Sequence, residues 1–324
     1  MRVPIFKLAV VLIALIAVAG LGRAGDLKEQ GFGKRRGGLA MRARGDIQPI
    51  GKSPVLYAVD VEIRATDGKA VSLSEPFSSK LVWRTGDDKP LPEGIIEFPS
   101  RSPLERAGVK VEPGKPLQWT VSFLRMSETA PKKLQVLARL EGGRPVRYGT
   151  PRLASPLLTL DLSRLPVPKT LEEKHVVAGW TSATRFVYHL YEGLRGWRML
   201  EVQPNGAATV FRSKVHGDLP ARAGIPDLPS GEFSARLTTA EKEALAESFL
   251  KQRVWTLDDL PKRMLIPDES SARFSLVADD AALLARYPIA EAEKANKDYS
   301  ALEKAIDALM HRIVKRAQKG KERG

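Results

Sequence analysis

Between residues 55 and 162 apolar residues recur at every second position, and glycine, proline and aspartate interrupt them at short intervals. Val59, Val61 and Ile63 alternate ahead of Asp67-Gly68. Leu117, Trp119, Val121 and Phe123 follow Pro113-Gly114, and Leu134, Val136, Ala138 and Leu140 precede Gly142-Gly143. Successive side chains of a strand point to opposite faces, so each run presents one apolar row to a core and one polar row away from it. Several short strands at this spacing, with no helical stretch among them, predict a β-sandwich over residues 48–165.

The strand rhythm is immunoglobulin-like. The chain contains no cysteine, so there is no Cys…Trp…Cys framework, no disulfide, no thiolate metal site and no cysteine nucleophile. Buried apolar surface has to carry the stability, and 324 residues suffice for more than one core. Pro166 and Pro168 mark residues 166–176 as a linker, with a protease-sensitive joint expected between Leu165 and Lys174.

Residues 177–318 read as an α+β domain. Phe186, Tyr188 and Leu190 start a strand, and Trp197–Gln203 and Ala207–Lys214 flank Pro204-Asn205-Gly206, where Asn-Gly favours a tight hairpin. Thr238 and Glu241 form a capping box before a helix with Leu245, Phe249 and Leu250 facing inward. A second hairpin is expected around Asp279-Asp280. A second capping box, Ser300 with Glu303, opens a last helix whose Leu302, Ile306, Leu309, Met310 and Ile313 recur at helical spacing. Laying both helices on one face of an antiparallel sheet buries both stripes. Residues 319–324 form a basic tail.

This order, with the segments EVQPNGAATV (201–210) and LTTAEKEALAESFL (237–250) followed by an apolar hairpin, resembles a set of uncharacterised exported bacterial α+β proteins. The resemblance spans roughly residues 185 to 290. It implies a fold and an address but carries no activity, cofactor or site residue with it.

At the other end, Arg2 and Lys7 precede an apolar run from Leu8 to Ala19. A membrane span needs about 20 apolar residues and a signal peptide about 7 to 15, so residues 1–24 read as a signal peptide. Cleavage after Ala24 is preferred to cleavage after Ala19, and a retained anchor is the alternative. Residues 25–47, with six glycines and several basic residues, read as a flexible leader. The expected location is periplasmic or extracellular, with no span left after cleavage. The formal charge of +14 is spread thinly, and acidic residues are interleaved with the basic ones. No specific nucleic-acid interface is expected; the excess suits an anionic envelope polymer or a protein partner.

The residues able to carry chemistry are few. His175, His189, His216 and His311 have no ligand at metal-binding helical spacing. Gly179-Trp180-Thr181-Ser182-Ala183 lacks the closing glycine of a nucleophile elbow. Asp87-Asp88, Asp258-Asp259 and Asp279-Asp280 have the character of turns. Trp83, Trp119, Trp180, Trp197 and Trp255 are core residues, or, where exposed, contacts for a carbohydrate or peptide. No catalytic, cofactor or metal residue is assigned. The expectation is an exported non-enzymatic binding or interaction protein. The alternatives are a secreted hydrolase whose carboxylate and His189 meet only in the fold, and an inhibitor or accessory subunit of another secreted protein.

Overall fold

The structure, a computed structural model, describes residues 32–44, 47–73, 77–84, 94–98, 102–105, 108–130, 132–142, 153–192, 196–213, 228–260, 269–295 and 299–321. Residues 1–24, read above as a signal peptide, and His216 lie outside them. The fold is a β-rich α+β arrangement, about 45% strand and 24% helix, so sheets form its frame and helices cover them. Among the described residues no helix is long and apolar enough to cross a membrane.

The first half contributes β1 (Leu39–Ala43), β2 (Gln48–Pro49), β3 (Leu56–Ala65), β4 (Val71–Leu73), β5 (Phe77–Arg84), β6 (Ile95–Phe98), β7 (Val109–Val111), β8 (Leu117–Arg125), β9 (Lys133–Gly142) and β10 (Leu158–Asp161). The first sheet runs β1-β3-β8-β6 with β2 beside β3, a smaller one runs β10-β9-β5, and β4 pairs with β7. The alternating rows named above, Val59 to Ile63, Trp119 to Phe123 and Leu134 to Leu140, meet in one buried cluster. At the end of β3, Gly68 takes a positive φ of 67° in the turn expected at Asp67-Gly68.

The segment expected as a flexible leader is corrected by this structure. Leu39 to Ala43 pair antiparallel with β3, and Leu39, Ala40 and Met41 are buried, as is Phe32. Within a stretch rich in glycine and arginine, Leu39 and Met41 alternate like any strand, and a ready edge on β3 captures them. The segment expected as a linker is also more engaged than its prolines imply. Lys169–Thr170 (β11) pairs parallel with β17 (Ala281–Pro288), and Leu171 and Val176, the latter in the short helix α1 (Glu173–Val177), are buried in the second core.

The second half builds a seven-stranded sheet, the second sheet below, which runs out to one edge through four strands in sequence order: β12 (Arg185–Tyr191), β13 (Trp197–Val202), β14 (Ala207–Ser213) and β15 (Gly231–Arg236). After helix α2 (Thr239–Lys251), β16 (Ser271–Ala278) returns to pair with β12, and helices α3 (Ile289–Ala295) and α4 (Tyr299–Lys321) follow β17. The order is β11-β17-β16-β12-β13-β14-β15. Helices α2 and α4 cover one face, where Leu245, Phe249, Ile306, Leu309 and Ile313 pack on Phe186, Tyr188, Leu200 and Phe274.

Local signals explain the ends. Thr238 Oγ1 accepts from the Glu241 N–H at 3.2 Å while the Glu241 carboxylate accepts from the Thr238 N–H at 2.9 Å, a complete capping box. At the β13–β14 turn the Gly206 N–H bonds the Gln203 carbonyl at 2.8 Å, and only Gly206, at φ 82°, is left-handed there. Pro204 locks its own φ negative, so the turn takes the longer form with a left-handed glycine rather than the two-residue form Asn-Gly favours.

The last helix departs from expectation at its start. It is described from Tyr299 on, with Ser300 already helical, and Glu303 is buried with its carboxylate accepting from Tyr188 OH at 3.2 Å. Tyr299 OH in turn donates to Tyr287 OH at 2.9 Å, and burial pushes all three phenols well above their ordinary range. Leu309→Ala is expected to cost roughly 2 to 5 kcal/mol through lost burial and the remaining cavity. Ser300→Ala, which removes no cap here, should stay within about 0.5 kcal/mol. Urea denaturation of the two variants checks the ranking.

Candidate functional site

The second sheet is covered on both faces, and its face away from the helices builds the site. Val187, Met199, Val277 and Ala282 point from that face into a buried cluster with Val55, Leu56, Phe98 and Leu124 of the first half. Hydrogen bonds tie the same seam: the Lys52 N–H to the Ser182 carbonyl at 3.1 Å, and Ser53 Oγ to the Asp279 carbonyl at 3.2 Å. The backbones come close at Gly51, whose φ is 61° and where a Cβ would lie 2.6 Å from the Ser182 oxygen.

Beside this apolar seam the two halves enclose a crevice of about 430 Å³. Arg185, at the start of β12 and only 2% exposed, forms its floor. Its guanidinium donates to Glu201 Oε1 at 2.5 Å and to Ser122 Oγ, and stacks 4.8 Å from the centre of the Phe98 ring. Glu201 Oε1 also accepts from Gln203 Nε2. The first half supplies Gln48, Ser122, Thr120 and Asp60 to the walls, with Thr120 Oγ1 donating to Asp60 Oδ1 at 2.9 Å. Two carboxylates, one guanidinium, two amides and two hydroxyls thus line one opening, nearly all of them on strands, which hold them in fixed positions.

No sequence motif pointed to these residues, because they come from five separate stretches. A local signal did exist. Arg185 abuts the apolar run Phe186-Val187-Tyr188, and Glu201 stands between Leu200 and Val202. A charge inside a buried strand has to find a counter-charge, so each of the two implies the other.

The candidates read from the sequence fall elsewhere. His189 lies on the same face as Arg185, four residues further along β12, with its ring 4.9 Å from Trp197. Among the described residues its Nε2 has no hydrogen-bond partner and no carboxylate reaches it. Burial, reinforced by Arg273 and Arg286, lowers its pKa to about 4. His175 Nδ1 accepts from the Glu172 N–H at 3.0 Å at a helix start, and His311 is half-buried on α4. Ser182 stands in a turn leading from helix α1 into strand β12, the reverse of the strand-to-helix order a nucleophile elbow requires.

Asp279 is left-handed at φ 51° in its hairpin turn, and Asp280 pairs with Lys169 at 2.6 Å. Asp87-Asp88 and the side chains of Asp258-Asp259 lie outside the described residues. None of the five tryptophans is exposed, and each packs in or against one of the three cores. Among the described residues no three His, Asp or Glu side chains are grouped as metal ligands.

No protein-family model matches the chain, and a search of curated proteins found no match.

Two measurements follow from this geometry. Glu201→Ala leaves the Arg185 charge buried without its partner and should cost about 3 to 5 kcal/mol, whereas Arg185→Met with Glu201→Leu should recover much of that loss. A double-mutant cycle by chemical denaturation reads it. The second concerns His189, which is neutral in the fold down to about pH 4 but takes a proton near pH 6.5 when unfolded. Its contribution is complete above about pH 6.5 and is lost as pH falls towards 4, by up to roughly 3 kcal/mol at about 1.4 per pKa unit. His189→Gln should flatten the stability profile across that window.

Proposed function

We propose that this chain is an exported, non-enzymatic binding protein that holds a polar ligand in the crevice between its first and second sheets. One observation carries the reading: hydrogen-bonding groups from both halves converge on an opening floored by the buried Arg185–Glu201 pair. Strand-borne side chains held by second contacts are pre-organised for binding. Asp60 and Glu201 against Arg185 leave the lining with a formal excess of one negative charge, which favours a ligand bearing amine and hydroxyl groups. The hydrolase alternative needs His189 beside a carboxylate, and Val187 separates His189 from the crevice.

The same proposal extends to architecture and address. The two sheets of residues 48–165 that share one apolar cluster are taken as a β-sandwich of immunoglobulin-like rhythm, with residues 177–318 as a second domain. Residues 1–24 are taken as a cleaved signal peptide that delivers the chain to the periplasm or beyond. Expression in a bacterial host should yield a periplasmic form beginning at Gly25, read by N-terminal sequencing; a chain kept intact in the cytoplasm would count against export.

For the ligand, D-glucosamine, ethanolamine and N-acetylglucosamine are suitable probes for nuclear magnetic resonance titration of the purified chain. The free amines should shift the backbone signals of residues 58–60, 120–122 and 201–203, and Asp60→Asn should weaken glucosamine about tenfold, the worth of one charge-assisted hydrogen bond. If none of the three probes moves those signals, the crevice is a solvent-filled seam and the reading fails.

A further inference from the structure

β12, β16 and β17 lie side by side in the second sheet, and their register fixes what stands on the face turned away from the helices. One row across them is Val187–Ser275–Leu284, whose Val187 and Leu284 pack into the seam with the first half. The next row is His189–Arg273–Arg286. Residues two apart on a strand share a face and lie about 7 Å from each other, so both rows project the same way. Val187 stands between this second row and Arg185 in the crevice.

Arg273 and Arg286 are directly opposite each other across the antiparallel pair, and both are exposed. Among the described residues neither makes a hydrogen bond or an ion pair. Like charges in this position destabilise a sheet. Burial and then the repulsion of Arg286 hold the Arg273 guanidinium below its ordinary pKa, and the attraction of Glu97 on β6 is the weakest of the three influences. The Glu97 carboxylate accepts from the Leu81 N–H at 2.9 Å and from Trp83 Nε1 at 3.3 Å. Solvent thus reaches Arg273 while protein partly walls it in. The arginines deeper in the same sheet are arranged differently, since Arg185, Arg198 and Arg212 are each paired with a carboxylate.

Two polar atoms beside the pair are unsatisfied as well. Ser275 Oγ and His189 Nε2 are buried, and among the described residues neither has a hydrogen-bond partner. A hydroxyl and a neutral imidazole can each donate or accept. Repelling cations and unpaired donors are relieved by the same thing, an anion with several oxygens. Each guanidinium can present two parallel N–H groups to a pair of oxygens. A carboxylate has only enough oxygens for one such fork, whereas a phosphate can serve both.

We infer that Arg273 and Arg286, with His189 and Ser275 beside them, form a phosphate-binding site that is separate from the crevice and does not depend on it. The phosphate belongs either to a soluble phosphorylated molecule or to a lipid headgroup.

Calorimetry and imidazole nuclear magnetic resonance on the purified chain test the site. Inorganic phosphate should bind with an affinity that falls as salt rises, and acetate at least about tenfold more weakly. Arg286→Gln should weaken phosphate at least about tenfold, and Arg286→Lys by less than Arg286→Gln, since a point charge keeps the attraction without the fork. Arg286→Gln also removes the like-charge pair, so its melting temperature should equal or exceed that of the parent, which separates lost binding from lost folding. Phosphate held by the two arginines offsets their charge at His189, so the His189 pKa, about 4 in the free chain, should rise by about half a unit or more at saturation.

Glucose 6-phosphate and vesicles of phosphatidylcholine with phosphatidic acid distinguish the sources. Glucose 6-phosphate binding without vesicle binding assigns a soluble ligand, and vesicle binding that is lost in Arg286→Gln and competed by inorganic phosphate assigns a lipid headgroup. Absence of phosphate binding, phosphate binding unchanged in Arg286→Gln, or an unmoved His189 pKa at saturation would overturn the site. An aspartate-rich peptide that binds through Arg286 and is not displaced by inorganic phosphate would make the pair a protein-docking patch and overturn the proposal.

Discussion

Arg185 carries a charge where almost no water reaches it, and that fact constrains everything around it. A buried guanidinium is tolerated only with a counter-charge and bonded donors. Here the counter-charge, Glu201, comes from the neighbouring strand of its own sheet, but Ser122 and the Phe98 ring come from the first half of the chain. Undocking the halves would leave Glu201 in place and strip Arg185 of the rest, while exposing Leu56, Leu124, Val187 and Val277 together. Polar and apolar terms therefore act in the same direction at this seam. The crevice exists because the apolar packing stops at this charged pair.

The seam also explains why β3 and β12 look as they do. Each is covered on both faces over part of its length, so each alternation serves two cores. In β12, Phe186, Tyr188 and Leu190 go to the helices while Arg185 and Val187 go to the first half. In β3, Val59, Val61 and Ile63 go inward while Leu56 lies under the second sheet. A strand buried on one side shows clean alternation, and one buried on both shows a nearly continuous apolar run. The centre of β3 shows the first pattern and most of β12 the second.

That difference sets how much of the molecule was legible. The interiors of β3, β8 and β9 were read directly because local periodicity decides them, as were the Thr238–Glu241 cap and the inward stripe of α4. β1 and β11 were not, because five and two residues in glycine- or proline-flanked stretches become strands only when a long-range edge accepts them. Ser300–Glu303 matched a capping pattern, yet Ser300 is already helical and Glu303 is engaged by Tyr188, a residue 115 positions away. The crevice was illegible for the same reason at larger scale, since Asp60, Ser122, Arg185 and Glu201 share no spacing. Only the odd placement of single charges in apolar strands marked them.

Charge balance separates the arginine clusters of this molecule by what each can do. Arg198 pairs with Asp307 at 2.7 Å and Arg212 with Glu192 at 2.5 Å, all four side chains no more than 10% exposed, and there cations and anions are equal in number. Arg185 and Glu201 also match one to one. Where arginines are buried, neutrality is enforced, because an uncompensated charge in the interior would cost more than packing returns. At Glu62 three arginines bond one buried carboxylate, and the Arg44 and Arg64 side chains, 45% and 35% exposed, lean into solvent. The Phe32 ring, 4.7 Å from the Arg42 guanidinium and 4.9 Å from that of Arg64, packs against the same cluster, so the side chains that replace water around Glu62 are themselves held in place.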